Sequence, residues 1–258
     1  MENKNILITG ASSGIGREFA KIFAKQQNNL ILVARSRDKL EKLRSEIITE
    51  KIEITIIEKD LAQANAAQEL YDIVTSKKIR VDGLVNNAGF GLYGYFIDIP
   101  IEQQLKMIQL NIVTLTHLTH LFVQDMIANG YGRILNVASI ASFVATPSLT
   151  AYAATKAYVL SLSEALNTEL RKHPNVTVTA LCPGPTRTNF AEVASMEGRG
   201  RKLFTQYGMS AEEVAYQGYQ ALIREKPIII PGKQFRLLVW ATRFLPRKIV
   251  QKSITKLT

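Results

Sequence analysis

A single cysteine, Cys182, occurs in this chain of 258 residues. That excludes an intramolecular disulfide and any metal cluster built on several thiolates, and leaves Cys182 as a small side chain suited to burial. Histidine is nearly as scarce, with three in all. His117 and His120 share a helix face, but no acid or thiol nearby completes a ligand set, so packing is their expected role and no metal site is expected. No run of about 18 uncharged apolar residues occurs, and the opening MENKNILITG lacks an apolar signal core before its first strand. The expectation is a cytoplasmic protein. No linker or low-complexity tract divides the chain, which has the length of one α/β domain and can bury roughly 70–75% of the surface its unfolded form exposes.

Acidic residues are missing from one end altogether. From Lys226 onward there are eight basic residues (Lys226, Lys233, Arg236, Arg243, Arg247, Lys248, Lys252 and Lys256) and no Asp or Glu, whereas the residues before them carry 24 basic against 22 acidic. The formal net charge of +10 therefore belongs mostly to the tail, which argues against a diffuse nucleic-acid surface. In that tail Leu237, Trp240, Ala241, Phe244 and Leu245 recur at helical spacing, with Arg236, Arg243 and Arg247 to one side. Such a basic amphipathic segment can rest on an anionic membrane, dock an acidic carrier protein, or pack against its own domain or a twin subunit. All three remain open at this point.

What is present is a regular alternation of short apolar runs and amphipathic stretches. The runs predict strands over residues 5–9, 30–34, 54–58, 81–85, 133–138, 176–181 and 227–230. Helices are predicted over 15–27, 37–50, 62–76, 101–129 with a break near Asn111, 151–172 and 211–225, the last opened by a capping box at Ser210. Alternation of this kind implies parallel pairing with right-handed crossovers. The expected fold is α/β, a single Rossmann-like doubly wound parallel sheet of about seven strands with helices on both faces. Residues 1–232 form that domain, with a lid at about 189–209 interrupted by Gly198 and Gly200, and residues 233–258 extend it. Ligands collect beyond the carboxyl ends of such strands, where Gly10, Arg35, Asp60, Asn86, Ser139 and Pro183 fall.

The first strand leads into Gly10, Gly14 and Gly16 in the segment TGASSGIG, together with Ser12, Ser13 and Ile15. Glycines let the backbone turn sharply and approach a pyrophosphate, whose charge then faces the N-terminus of the helix starting near Ile15. Downstream, Tyr152 and Lys156 stand four residues apart in AYAATKAY, with Ser139 at the end of an apolar strand. Residues at i and i+4 share a helix face, so phenol and ammonium project side by side. A free tyrosine titrates about 3 units above neutral, a gap of about 4 kcal/mol, and a fixed positive charge within about 4–6 Å favours the phenolate.

Taken together, TGASSGIG (9–16), NNAG (86–89), Asn111, Ser139, the Tyr152/Lys156 pair and Pro183–Gly184 followed by Thr188 resemble the short-chain dehydrogenase/reductase family over nearly the whole chain. The resemblance implies a nicotinamide cofactor and oxidation or reduction at an alcohol or carbonyl carbon. It implies that Tyr152 protonates the carbonyl oxygen, Ser139 orients and polarises that oxygen, and Lys156 lowers the tyrosine pKa and grips the nicotinamide ribose. Asn111 is then expected to hold a water linking Lys156 to solvent. Asn87, Ala88 and Gly89 would pass close to the adenine ribose, while Pro183, Gly184, Thr186 and Thr188 would shape the nicotinamide end. Asp60, with Leu61 beside it, would meet the adenine amino group or cap a helix with Gln63, two compatible roles. Ser142 is a possible substrate contact or ordinary loop polarity. Homodimers or homotetramers are common in the family.

An acidic residue at the end of the second strand would hold the ribose 2'-hydroxyl of NAD and repel a 2'-phosphate. Here that place is taken by Arg35, with Arg37 close behind. Forked guanidinium donors suit phosphate, so NADP(H) is favoured over NAD(H) unless both arginines are simply solvated. The resemblance implies a small-molecule carbonyl or alcohol as substrate. Phe90, Tyr93, Tyr95 and Phe96 follow the NNAG segment, and either line a pocket for a lipophilic ketone or acyl chain or pack into the protein's own core. Three readings of function stay in view: an NADPH-dependent carbonyl reductase, a 3-oxoacyl-thioester reductase, and a non-catalytic NADP(H)-binding regulator.

Overall fold

The computed structural model describes residues 1–242, 244–246 and 250, the side chain of Arg199 excepted. Arg243, Arg247, Lys248, Lys252 and Lys256 of the basic tail lie outside the described residues. In chain order the elements are β1 (Asn5–Thr9), α1 (Gly14–Lys25), β2 (Asn29–Ala34), α2 (Arg37–Ile47), β3 (Ile54–Glu58), α3 (Ala66–Ser76) and β4 (Gly83–Asn86). They continue with α4 (Ile101–Ile108), α5 (Leu115–Ala128), β5 (Gly132–Val137), α6 (Thr150–Glu169) and β6 (Val176–Leu181). The last part holds β7 (Thr186–Arg187), α7 (Phe190–Val193), α8 (Gly198–Thr205), β8 (Met209–Ser210), α9 (Ala211–Ile223), β9 (Ile228–Ile229) and α10 (Lys233–Thr242).

The main sheet has seven parallel strands in the order β3-β2-β1-β4-β5-β6-β9, and β7 pairs with β8 in a small second sheet. β1 is the pivot: Ile6 pairs with Leu30 on one side and Gly83 on the other. The chain first winds outward to β3 and then returns to start again at β4, so a crevice opens beyond the carboxyl ends of β1 and β4.

Alternate residues of the inner strands enter different cores, which is why these strands read as unbroken apolar runs. Ile6, Ile8, Leu30 and Leu32 pack with Phe19 and Phe23 of α1 and with Val214 and Leu222 of α9. Leu7, Ile31 and Val33 face the other way, onto Leu70 and Val74 of α3 and Leu118 and Phe122 of α5. Each such side chain, fully buried, stabilises the fold by roughly 1.5–3 kcal/mol. Among the described residues no helix is long and apolar enough to cross a membrane.

Several expected boundaries move. α3 begins at Ala66, not at 62, because Asn65 takes a left-handed φ of +61° just before it. The Asp60 carboxylate closes the preceding turn instead, accepting from the Ala62 N–H at 3.1 Å and from Gln63 Nε2 at 3.4 Å. The interruption near Asn111 is a π-helical turn, Gln109–Thr114, that carries α4 into α5 without ending the helix. Gly198 opens α8 with φ +54° where an interruption was expected.

Candidate active site

Ser139 leaves β5 in an extended conformation and caps the short turn Ile140–Phe143, its hydroxyl accepting from Ala141 N–H at 3.1 Å. Ser142 closes the frame behind it. Its hydroxyl accepts from Ser139 N–H at 3.3 Å and donates to the Lys156 carbonyl at 2.7 Å. Ser142 thus ties the serine turn to α6 and is not among the residues lining the cavity, so it is a brace. Across the gap, α6 carries Tyr152 and Lys156 on one face, 9% and 5% exposed.

Burial is the dominant influence on both groups. It pushes the Tyr152 phenol up to about 12, against a side-chain hydrogen bond with Ser139 that pulls it down. It pushes the Lys156 ammonium down to about 8, against the neighbouring Cys182 sulfur. The depression of the phenol expected from Lys156 is not found: burial raises the phenol, Ser139 alone opposes it, and removal from water disfavours the charged form of both groups. The ammonium donates to the Val137 carbonyl at 2.7 Å and lies 5.8 Å from the centre of the Tyr152 ring. Cys182 is fully buried, and burial pushes its thiol up to about 12.

Asn111 sits in the π-helical turn with its side chain buried. Its amide donates to the Phe90 carbonyl at 3.0 Å and to the Thr155 hydroxyl at 3.1 Å, and its oxygen accepts from Phe90 N–H at 3.2 Å. A Cβ placed on Gly89 would come within 2.9 Å of that oxygen and 3.5 Å of Lys156 Nζ. Asn111 and Lys156 therefore converge over a residue that has no side chain.

A cavity of about 790 Å³ runs from the glycine turn to this cluster. Gly10, Ser12, Ser13, Gly14 and Ile15 line one end, and Ser139, Tyr152 and Lys156 the other. Gly10 and Gly14 have φ of +64° and +54°, and a Cβ on Gly14 would meet Thr188 at 3.0 Å, so the two loops abut across the crevice. Ser13 makes no side-chain cap on α1, whose first turn also lacks an acid, and Ser13, Gly14 and Ile15 at that end line the cavity. These features fit a dinucleotide with its pyrophosphate against α1. Asp60, Leu61, Asn87, Ala88, Gly89, Pro183, Gly184, Thr186 and Thr188 also line the cavity.

Three expected site residues lie outside the cavity wall: Gly16, Arg37 and Asn111. Gly16 is a packing position, since a Cβ there would stand 2.4 Å from the Gly10 carbonyl oxygen and from Asn87 Nδ2. Arg37 turns to Glu41, one helical turn on, at 3.3 Å. Near Arg35 the wall is completed by Ser36, Lys39, Lys59 and Lys106. Burial alone would raise the Asp60 pKa, but the Ala62 N–H, Gln63 and the charges of Lys106 and Arg35 outweigh it and lower it. Lys39 follows Arg35 at i+4, a signal present in the sequence; Lys106 is brought in by tertiary folding alone.

The substrate end is aromatic. The Tyr152, Phe190 and Phe204 rings form a column with successive centres 5.2 Å apart. Of the four aromatics after NNAG, Phe90 and Tyr93 line the cavity, while Tyr95 and Phe96 are exposed. Least legible from sequence was α10, which closes one wall with Phe235, Leu238 and Val239, the Phe235 ring lying where a Gly184 side chain would be.

A parallel sheet wound in this order, with a serine, a tyrosine and a lysine converging at its crevice, defines an NAD(P)-type oxidoreductase. The chain matches the short chain dehydrogenase family over residues 4–198 and belongs to that family. It is 30% identical over 260 residues to the uncharacterized oxidoreductase YbbO of Escherichia coli (strain K12), covering 96% of this chain and 93% of that one. Among solved structures it resembles a short-chain dehydrogenase from Sphingobium yanoikuyae in complex with NADPH, at TM-score 0.82 and 30% identity over 93% of this chain and 94% of that one. A similar fold, at TM-score 0.83 and 24% identity with 92% of each chain covered, is that of a short chain dehydrogenase/reductase from Burkholderia phymatum in complex with NAD.

Proposed function

We propose that this oxidoreductase is an NADP(H)-dependent carbonyl reductase, or dehydrogenase of the corresponding alcohol, acting on a lipophilic substrate. The observation that carries the reading is that Ser139, Tyr152 and Lys156 line one end of a single cavity whose wall extends to Arg35. A nicotinamide dinucleotide bound there supplies the hydride. Ser139 positions the carbonyl oxygen, and Tyr152 donates the proton that oxygen needs as negative charge develops on it. Burial keeps the phenol protonated before the reaction, so Tyr152 holds the proton it is to give, and Lys156, one turn along the same helix face, is placed to stabilise the phenolate left behind. The Asn111 oxygen, facing Lys156 across Gly89, supports a route for reprotonation from that side.

The preference for NADP(H) rests on Arg35, Ser36 and Lys39, which together offer two positive charges and a hydroxyl at the end of β2. A lipophilic substrate is supported by the aromatic column and by Leu149, Val193 and Met196 around it. Self-association as a homodimer or homotetramer through the long helices that hold Asn111 and Tyr152 is supported by the exposed Val113 of the π-helical turn and Tyr158 of α6. The test is a spectrophotometric screen of NADPH and NADH oxidation against ketones, aldehydes and 3-oxoacyl thioesters. Turnover of apolar ketones with NADPH is expected. A preference for thioesters would move the assignment to an acyl reductase, and tight NADPH binding without turnover of any carbonyl would show a regulator.

A further inference from the structure

α10 is apolar on two opposite sides. Phe235, Leu238, Val239 and Thr242 line the cavity, where Val239 is 5% and Leu238 52% exposed. On the far side Leu237 and Trp240 are 65% and 59% exposed, and the Trp240 ring meets that of exposed Phe244 at a tilt of 53°, with centres 4.6 Å apart. At 100° per residue Lys233 falls on this outer stripe and Arg236 flanks it. Among the described residues neither has an ion-pair partner. A helix apolar on both sides needs a second cover.

Charge decides what that cover is. From Lys226 to the end the chain carries eight basic residues and no acidic one. A second copy docked symmetrically on this face would set like charges against like, because a two-fold interface places the same patch on both partners. An anionic bilayer meets both demands, taking exposed Trp, Phe and Leu into its boundary layer and holding Lys and Arg at its headgroups.

We propose that the outer face of α10, with Leu237 and Trp240 and the neighbouring Phe244 as its apolar contacts and Lys233 and Arg236 as its counter-charges, docks this protein on an anionic lipid surface. The inner face of the same helix is a wall of the cavity, so docking sets the cavity beside the bilayer. The contact itself does not depend on the reductase reading, and its test needs no turnover.

Trp240 is the only tryptophan in the chain, so the protein's own fluorescence reports on the patch. The full chain is mixed with vesicles of phosphatidylcholine alone or with phosphatidylserine added, and flotation and tryptophan emission are read together. Co-flotation with the phosphatidylserine vesicles only, with a blue shift and quenching by brominated lipid, is expected. Leu237→Glu weakens binding by roughly tenfold or more while leaving Trp240 in place as reporter, since burying one such side chain is worth about a decade in partition. No flotation, or flotation undiminished in Leu237→Glu, would overturn the proposal. So would a blue shift that grows with protein concentration without vesicles, which would show that a second copy covers the helix. Binding to polyglutamate as tight as to the vesicles would overturn it in favour of an acidic protein partner.

Discussion

Lys156 Nζ points at the carbonyl oxygen of Val137, 2.7 Å away, and stands 5.8 Å from the centre of the Tyr152 ring. The ammonium of this pair is thus anchored to the strand that leads into Ser139, while Ser139 is the side chain that pulls the pKa of the buried phenol down. Strand and helix hold the two groups from different sides, and each has a charged form that burial disfavours.

That burial has a measurable consequence for Lys156, whose pKa falls from 10.5 to about 8 on folding. Between those values the unfolded chain holds a proton that the folded chain has released, so folding stability rises with pH by about 1.4 kcal/mol per unit. Below that window the buried charge is a constant cost. The stability of wild type relative to Lys156→Met should therefore climb between about pH 8 and pH 10, since the Tyr152 contribution is common to both proteins and cancels. Urea denaturation at stepped pH checks this, and a flat difference would refute it.

Tyr152→Phe should lower turnover by roughly 10²–10⁴-fold, the usual worth of a positioned acid, with NADPH affinity little changed. The ring stays in its column with Phe190 and Phe204, so the fold should be undisturbed. Single-turnover kinetics and a fluorescence titration with NADPH separate the two effects. Near-wild-type turnover in this variant would remove Tyr152 from the acid role.

At the other end of the cavity, Arg35→Ala should weaken NADPH binding by roughly tenfold to a hundredfold, since a charge-assisted hydrogen bond contributes about 1.5–3 kcal/mol. NADH binding should change little. Lys39→Ala should add to the effect, whereas Arg37→Ala should not, because Arg37 is engaged with Glu41. Equal losses for the two cofactors in Arg35→Ala would contradict a 2'-phosphate role.

Two glycines should respond in opposite ways to alanine. At Gly16 the new Cβ would lie 2.4 Å from a backbone oxygen, which cannot swing aside, and a loss of about 1–3 kcal/mol is expected. At Gly200, inside α8, the nearest atom would be the Tyr93 ring at 3.6 Å, an ordinary contact. There alanine should gain about 0.5–1 kcal/mol through lower chain entropy and better helix propensity. Denaturant midpoints of the two variants decide it.

The parallel architecture was legible because strands covered on both faces leave unbroken apolar runs, as in Leu30 to Ala34. Boundaries were harder wherever a local hydrogen bond competed with a helix. Asp60 and Gln63 have the spacing of a cap, yet they bond to each other and close a turn, and α3 waits for Asn65 to reverse the chain. The π-helical turn at Asn111 carried only the hint of an interruption, since its extra residue is absorbed by contacts with Phe90 and Thr155 that lie far apart in sequence.

By itself the sequence determined a doubly wound parallel sheet of about seven strands, the glycine turn, the Tyr152/Lys156 pair on one helix face and the basic tail, because each depends on periodicity or spacing along the chain. Tertiary structure alone decided that Gly16 and Asn111 serve as packing and bracing behind the cavity wall, that Lys106 joins Arg35, that Ser142 ties the serine turn to α6, and that α10 closes the cavity. The reason is physical. Which surfaces are withdrawn from water, and so whether a phenol titrates high or a lysine low, depends on distant segments meeting, and that is written in no single stretch of residues.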